Sequence, residues 1–157
     1  MIGAKVKRLV RSIYVMRCGY CFLSEEDAGA ELTFDHFQPQ SAGGSDEADN
    51  LVYACHACNE FKGEYWGDTE ETRLLHPLRD ELKLHIREET DGTLIGITFA
   101  GQRSISRLQL NRFPLVLHRQ NQRRDAHTAE RLEMIESRVN QILARIQTVD
   151  ELRRRGS

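Results

Sequence analysis

The chain has 157 residues and a mass of 18.1 kDa, the size of one domain with a real core. Its 39% hydrophobic and 29% charged residues exclude a disordered polymer, and its longest apolar run, Leu51–Cys55, is too short for a membrane span or a signal-peptide core. A cytoplasmic protein is therefore expected. The net charge of −2 hides two basic segments free of acid: Lys5, Lys7, Arg8, Arg11 and Arg17 within residues 1–17, and Arg103, Arg107, Arg112, Arg119, Arg123 and Arg124 within residues 101–124.

In chain order, residues 2–16 space Val6, Leu9, Ile13 and Met16 three or four apart, which predicts a short amphipathic helix feeding the first knuckle. Residues 24–31 are acidic and polar and read as loop. Leu32–Phe37 alternates apolar and polar residues and predicts a strand ending near Pro39. Residues 41–49, with Gly43 and Gly44, read as a flexible loop. Leu51–Tyr53 predicts the returning strand, with a helix starting near Cys58. Leu82, Leu84 and Ile86, a Thr90-Asp91-Gly92 turn, and Leu94 to Phe99 predict a second hairpin. Ser104 is expected to cap a helix carrying Ile105, Leu108 and Leu110, and Pro114 to open the first turn of another. From Leu132, the residues Ile135, Val139, Ile142, Ile146 and Val149 continue a heptad stripe. Packing on the protein's own core and a homodimer seam are both open for it. Gly156-Ser157 reads as a tail.

The four cysteines fall in two C-x-x-C knuckles, Cys18-Gly19-Tyr20-Cys21 and Cys55-His56-Ala57-Cys58. In a reducing compartment two such knuckles make a closed, four-thiolate structural zinc site, and a redox pair would account for one knuckle only. The 33 residues between Cys21 and Cys55 exceed the usual ribbon spacing, so something further is built between the knuckles.

That insert and its flanks read C-x-x-C, Phe34-Asp35-His36-Phe37-x-Pro39, Gly43-Gly44, Asn50-Leu51, then C-x-x-C-Asn59 and Lys62. In order and spacing this resembles the zinc-stapled HNH endonucleases, and Ser104–Arg112 is similar to tails that follow the core in small stand-alone members. The resemblance implies an α+β fold: a ββα-metal core, here with an extra hairpin and flanking N- and C-terminal helices. With the chain's length, which predicts one domain, the expectation is a single nuclease domain over residues 1–157, its core near 18–66 and a helical extension near 104–153.

The residue types suit that chemistry. Hydrolysis of a phosphodiester needs a base for water, a cation against the phosphate charge, and positioning. His36 titrates near neutral pH and can take the proton; Asp35 is a hard oxygen ligand for magnesium. Neighbouring strand residues face opposite ways, so a bend at the strand end must bring the two together. Asn59 can offer its amide oxygen as a second ligand. It stands where the family name calls for histidine, an H-N-N variant whose harder donor favours magnesium or manganese over zinc. By the resemblance, Asn50 holds the loop and aligns the imidazole of His36, and the product carries a 5′ phosphate.

The expected protein is thus a DNA endonuclease with structural zinc on Cys18, Cys21, Cys55 and Cys58 and a catalytic divalent ion on Asp35 and Asn59. Lys62, Arg107, Arg112, Arg119, Arg123 and Arg124 are expected on the phosphates of double-stranded DNA. The alternative is a zinc-stapled nucleic-acid-binding module without catalysis. A nuclease toxin held by an immunity partner is a third reading. His56 reads as a solvent-facing spacer, and His85 is expected on an exposed face.

Overall fold

In the computed structural model the backbone is described for residues 2–155 and the side chains for residues 2–147, so the expectations for Val149 and Gly156-Ser157 fall outside the described residues. The chain divides into two compact units, Met1–Val116 and Leu117–Ser157.

The first unit mixes helices and small sheets. Helix α1 spans Ala4–Ile13 and helix α2 spans Glu25–Ala28. Strands β1 (Thr33–His36) and β2 (Leu51–Ala54) pair antiparallel, with Thr33 opposite Ala54 and His36 opposite Leu51. Helix α3 (His56–Lys62) begins inside the second knuckle, with Cys55 as its N-cap and Cys58 in its first turn. A second hairpin, β3 (Ile86–Glu88) and β4 (Leu94–Gly96), leads into α4 (Phe99–Arg107). The core gathers on β2, whose four residues are all fully buried, together with Val10, Cys18 and Cys58.

Several local expectations are corrected. Helix α1 buries Val10 and Tyr14, with Val6 packed against them, while Leu9, Ile13 and Met16 are exposed. The i, i+4 rows rather than the expected stripe meet the hairpin. The helix also stops early: Val15 and Met16 both take positive φ, 49° and 55°, so Met16 lies beyond it. Within residues 24–31, Ser24 accepts a bond from the Asp27 amide and caps the single turn α2, a short-range signal outweighed by the segment's polarity. Leu82–Leu84 forms a 3₁₀ turn rather than strand, since Leu84 N–H and His85 N–H bond back to Glu81 and Leu82. Strand β4 ends at Gly96 because Thr98 accepts from the Gly101 amide and starts α4 at Phe99. Ser104 is therefore no cap: it is buried inside α4 and accepts from the Leu75 amide. His85 is half-buried, its Nδ1 bonded to Thr98 Oγ1 at 2.8 Å.

One network ties the elements around the hairpin. Arg11 of α1 donates twice to Glu25 of α2, at 2.6 and 2.5 Å. Tyr53 of β2 donates to the same carboxylate and accepts from the Leu32 amide. The bonds from Arg11 and then from Tyr53 hold the Glu25 carboxyl down at about 2.

In α5 (Phe113–Arg155) Pro114 occupies the first turn, as expected, where a missing N–H costs nothing. Leu115 still belongs to the core of the first unit. Along the second unit Leu132, Ile135, Val139, Ile142 and Ile146 are exposed on the helix. No helix among the described residues is long and apolar enough to cross a membrane.

Candidate metal centre and polar cavity

Helix α3 links two sites. Its first turn carries Cys58 and its last turn carries Lys62. At the first end the four cysteine Sγ atoms lie within 4.8 Å of one another, all buried, and Cys21 and Cys55 are 3.7 Å apart. A tetrahedral zinc with bonds of about 2.3 Å requires sulfurs about 3.8 Å apart, so the cluster fits the ion. Donation from Cys18, Cys21 and Cys58 holds the Cys55 thiol well below its usual value, the direction that favours the metal-binding form.

The sequence reading missed a cation beside these sulfurs. The Arg112 guanidinium lies 3.5 Å from Cys58 Sγ and 3.8 Å from Cys55 Sγ, over the Phe61 ring at 5.5 Å, and also donates to the Leu108 carbonyl. Arg112 was expected on DNA phosphates; here its charge faces the thiolates instead.

At the other end of α3 lies a polar cavity of about 160 Å³ lined by Phe34, Asp35, His36, Pro39, Gln40, Asn59, Gly63 and Glu64. Asp35, His36 and Asn59 thus meet at one cavity. Asp35 is 5% exposed; its Oδ2 accepts from the Tyr20 hydroxyl at 2.6 Å and its Oδ1 from Lys62 at 3.2 Å. Burial pushes its carboxyl above the usual range, opposed by the Lys62 charge and the Tyr20 bond.

Lys62, expected at the surface on a phosphate, is fully buried. Its ammonium also donates to the His36 and Gly63 carbonyls at 2.7 and 3.3 Å, so a buried charge has three oxygen partners. Because it grips the Asp35 side chain and the His36 backbone together, Lys62 pins the strand end where the two residues converge. Arg107 donates to the Lys62 carbonyl at 3.0 Å and lies over Tyr65 at 5.1 Å, so it too has a partner within the fold.

His36 Nε2 is 2.7 Å from Asp46 Oδ1, and Gln40 donates to the same oxygen. The His36 contact is the first cause holding the Asp46 carboxyl below its usual value. Asn50 lies outside the cavity lining. Its Oδ1 accepts from the Gln38 amide, and its Nδ2 donates to the Gln38 and Ser45 carbonyls. It holds the loop, as expected, but the contact to the imidazole is made by Asp46. The loop is built rather than loose: a Cβ on Gly44 would sit 1.7 Å from the Gln38 carbonyl oxygen. Asn59 Nδ2 donates to Thr33 Oγ1 at 3.1 Å, which presents its amide oxygen as the remaining donor.

His56 is exposed, as expected of a spacer. His76 is buried edge-on against Phe37 at 4.5 Å, and burial holds its pKa down. On α5, Arg124 donates to Asn121, and Arg119, Arg123 and Arg124 belong to the second unit.

The cysteine cluster, the hairpin and α3 coincide with a family match. Residues 18–64 match the HNH endonuclease family. No curated protein and no solved structure matches the chain. The HNH region ends with Lys62 and Glu64, so it takes in both knuckles and the cavity lining. An HNH domain points to a nuclease or nucleic-acid-binding function.

Proposed function

We propose that the protein is a metal-dependent endonuclease that hydrolyses DNA phosphodiester bonds on a ββα-metal core. The observation that carries the reading is the convergence of Asp35, His36 and Asn59 on one cavity. His36 is the base: with Nε2 engaged by Asp46, Nδ1 is the nitrogen that takes a proton from water. Asp46 orients the ring, and the clamp of Asn50 on Gln38 and Ser45 keeps that loop in register.

The cavity offers hard oxygen donors in Asp35, Asn59, Gln40 and Glu64, a set that suits magnesium or manganese. Each carboxylate oxygen has more than one lone pair, so Asp35 retains donor capacity beside Tyr20 and Lys62. A divalent ion held by Asp35 and Asn59 supplies charge stabilisation to the phosphate and the leaving oxygen. The half-buried Arg119 and the exposed Arg123 and Arg124 of the second unit supply sequence-independent contacts to the duplex backbone, and the exposed Lys5 and Arg8 of α1 supply their own on the first unit. A cytoplasmic setting belongs to the same reading, since it keeps the four thiols reduced.

One observation favours the non-catalytic binding module: both oxygens of Asp35 are already hydrogen-bonded, one to an ammonium. Plasmid cleavage by the purified protein with chelator, magnesium, manganese or zinc decides between them. The nuclease reading expects cleavage with magnesium or manganese, and His36→Ala slower by about 10²–10⁴ with its fold and DNA affinity kept. Wild type that binds DNA and cuts it under none of these metals overturns catalysis.

A further inference from the structure

We propose that the apolar stripe of α5 is the seam of a parallel, three-stranded coiled coil between copies of this chain. The stripe is solvent-exposed along its length: Leu132 at 62%, Ile135 at 53%, Val139 at 48%, Ile142 at 56% and Ile146 at 51%. Five large apolar side chains in one row on a charged helix are what a coiled-coil seam requires. The 3-4 spacing places Leu132, Val139 and Ile146 at a, and Ile135 and Ile142 at d, which the sequence continues with Val149.

The flanking charges choose the occupant and its direction. Four successive g positions are arginine: Arg124, Arg131, Arg138 and Arg145. The e positions are Ala129, Glu136 and Leu143, with Asp150 next in the sequence. In a parallel coil each g faces the e five residues on in a neighbouring copy. Arg131 then meets Glu136, while Arg124 and Arg138 lay their aliphatic stems on Ala129 and Leu143. In an antiparallel coil g faces g, so arginine rows oppose each other and the e-row acids do the same. Only the parallel order pairs unlike charges. The number of strands follows from branching: β-branched residues fill d as well as most of a, which disfavours two strands and favours three.

A row of arginines every seven residues could also track a phosphate backbone, but that reading leaves the apolar stripe between the rows without a role. The seam concerns none of the cavity residues and shares with the nuclease reading only Arg124, whose stem lies at the seam with its charged head at the solvent-facing edge.

Sedimentation equilibrium of the zinc-loaded full chain without DNA, from about 5 to about 200 µM, tests it. The expected result is reversible association to three copies. Ile142→Lys, on an exposed face, should remain monomeric with unchanged zinc content and helicity. Arg131→Glu should weaken association roughly fivefold, and Arg131→Glu with Glu136→Arg should restore it. A monomer throughout the range, association unchanged by Ile142→Lys, a mass that stops at two copies, or a double variant weaker than the single one would each overturn the parallel three-stranded seam.

Discussion

The two ends of α3 solve the same problem, holding chemistry between a hairpin and a helix, in opposite ways. At its first turn four identical thiols converge at van der Waals range, and any metal that unites them also unites the chain segments they come from. At its last turn, side chains of different types are each held by different side-chain partners, Asp35 by Tyr20 and Lys62, His36 by Asp46, Asn59 by Thr33, with Lys62 also on the His36 carbonyl. The first end is cooperative and closed, so losing one ligand costs the fold. The second is assembled from separable contacts, so one residue can change while the rest stays in place.

The largest expected effect breaks the first end. Structural zinc contributes about 10 kcal/mol or more of apparent folding free energy in small domains. Cys55→Ser should therefore lose zinc and cooperative unfolding together, by metal analysis and circular dichroism. A well-folded, zinc-free Cys55→Ser protein would show that the cluster is not the staple.

The next tests whether the second end is truly modular. Lys62→Met keeps the bulk but leaves the buried Asp35 carboxylate unpaired, which costs about 3–5 kcal/mol in denaturant unfolding. Adding Asp35→Asn should recover much of that loss, because the stranded charge goes with it. If Lys62→Met instead unfolds like wild type and loses only DNA affinity, the lysine works at a phosphate after all.

The smallest effect sharpens the boundary between the two ends. Arg112→Ala removes a cation from beside Cys55 and Cys58 but no ligand. Zinc retention in a chelator competition should fall by about 10–100-fold, the usual scale for partners that support metal ligands. Arg119→Ala, which removes a similar charge elsewhere, should leave zinc retention unchanged. Equal behaviour of the two variants would make the contact incidental.

Much of this was legible from local spacing alone. Two C-x-x-C knuckles announce a four-thiolate cluster because two-residue gaps let both sulfurs of a knuckle reach one point. The hairpin was legible because alternation over Leu32–Phe37 and the apolar run Leu51–Tyr53 each depend only on which face of a strand is buried. Asp35, His36 and Asn59 could be nominated together from their order around the knuckles. The 3-4 stripe on α5 was legible for the same reason, as a period within one helix.

What only the tertiary structure decided is which polar and apolar groups face each other across long sequence separations. Nothing local distinguishes Lys62 from a solvated lysine until α3 lies along β1 and brings its ammonium to Asp35, 27 residues away. Asp46 stood in an acidic loop that looked loose, and it acquires a role only when Asn50 and Gly44 fold that loop back onto Gln38. Arg112 was one of six arginines in a basic segment until packing set it 54 residues from its sulfur partner in sequence and 3.5 Å away in space. The buried face of α1 was misread on the same grounds. Periodicity offers several stripes on one short helix, and only the partner surface, here β2, selects the row through Val10 and Tyr14.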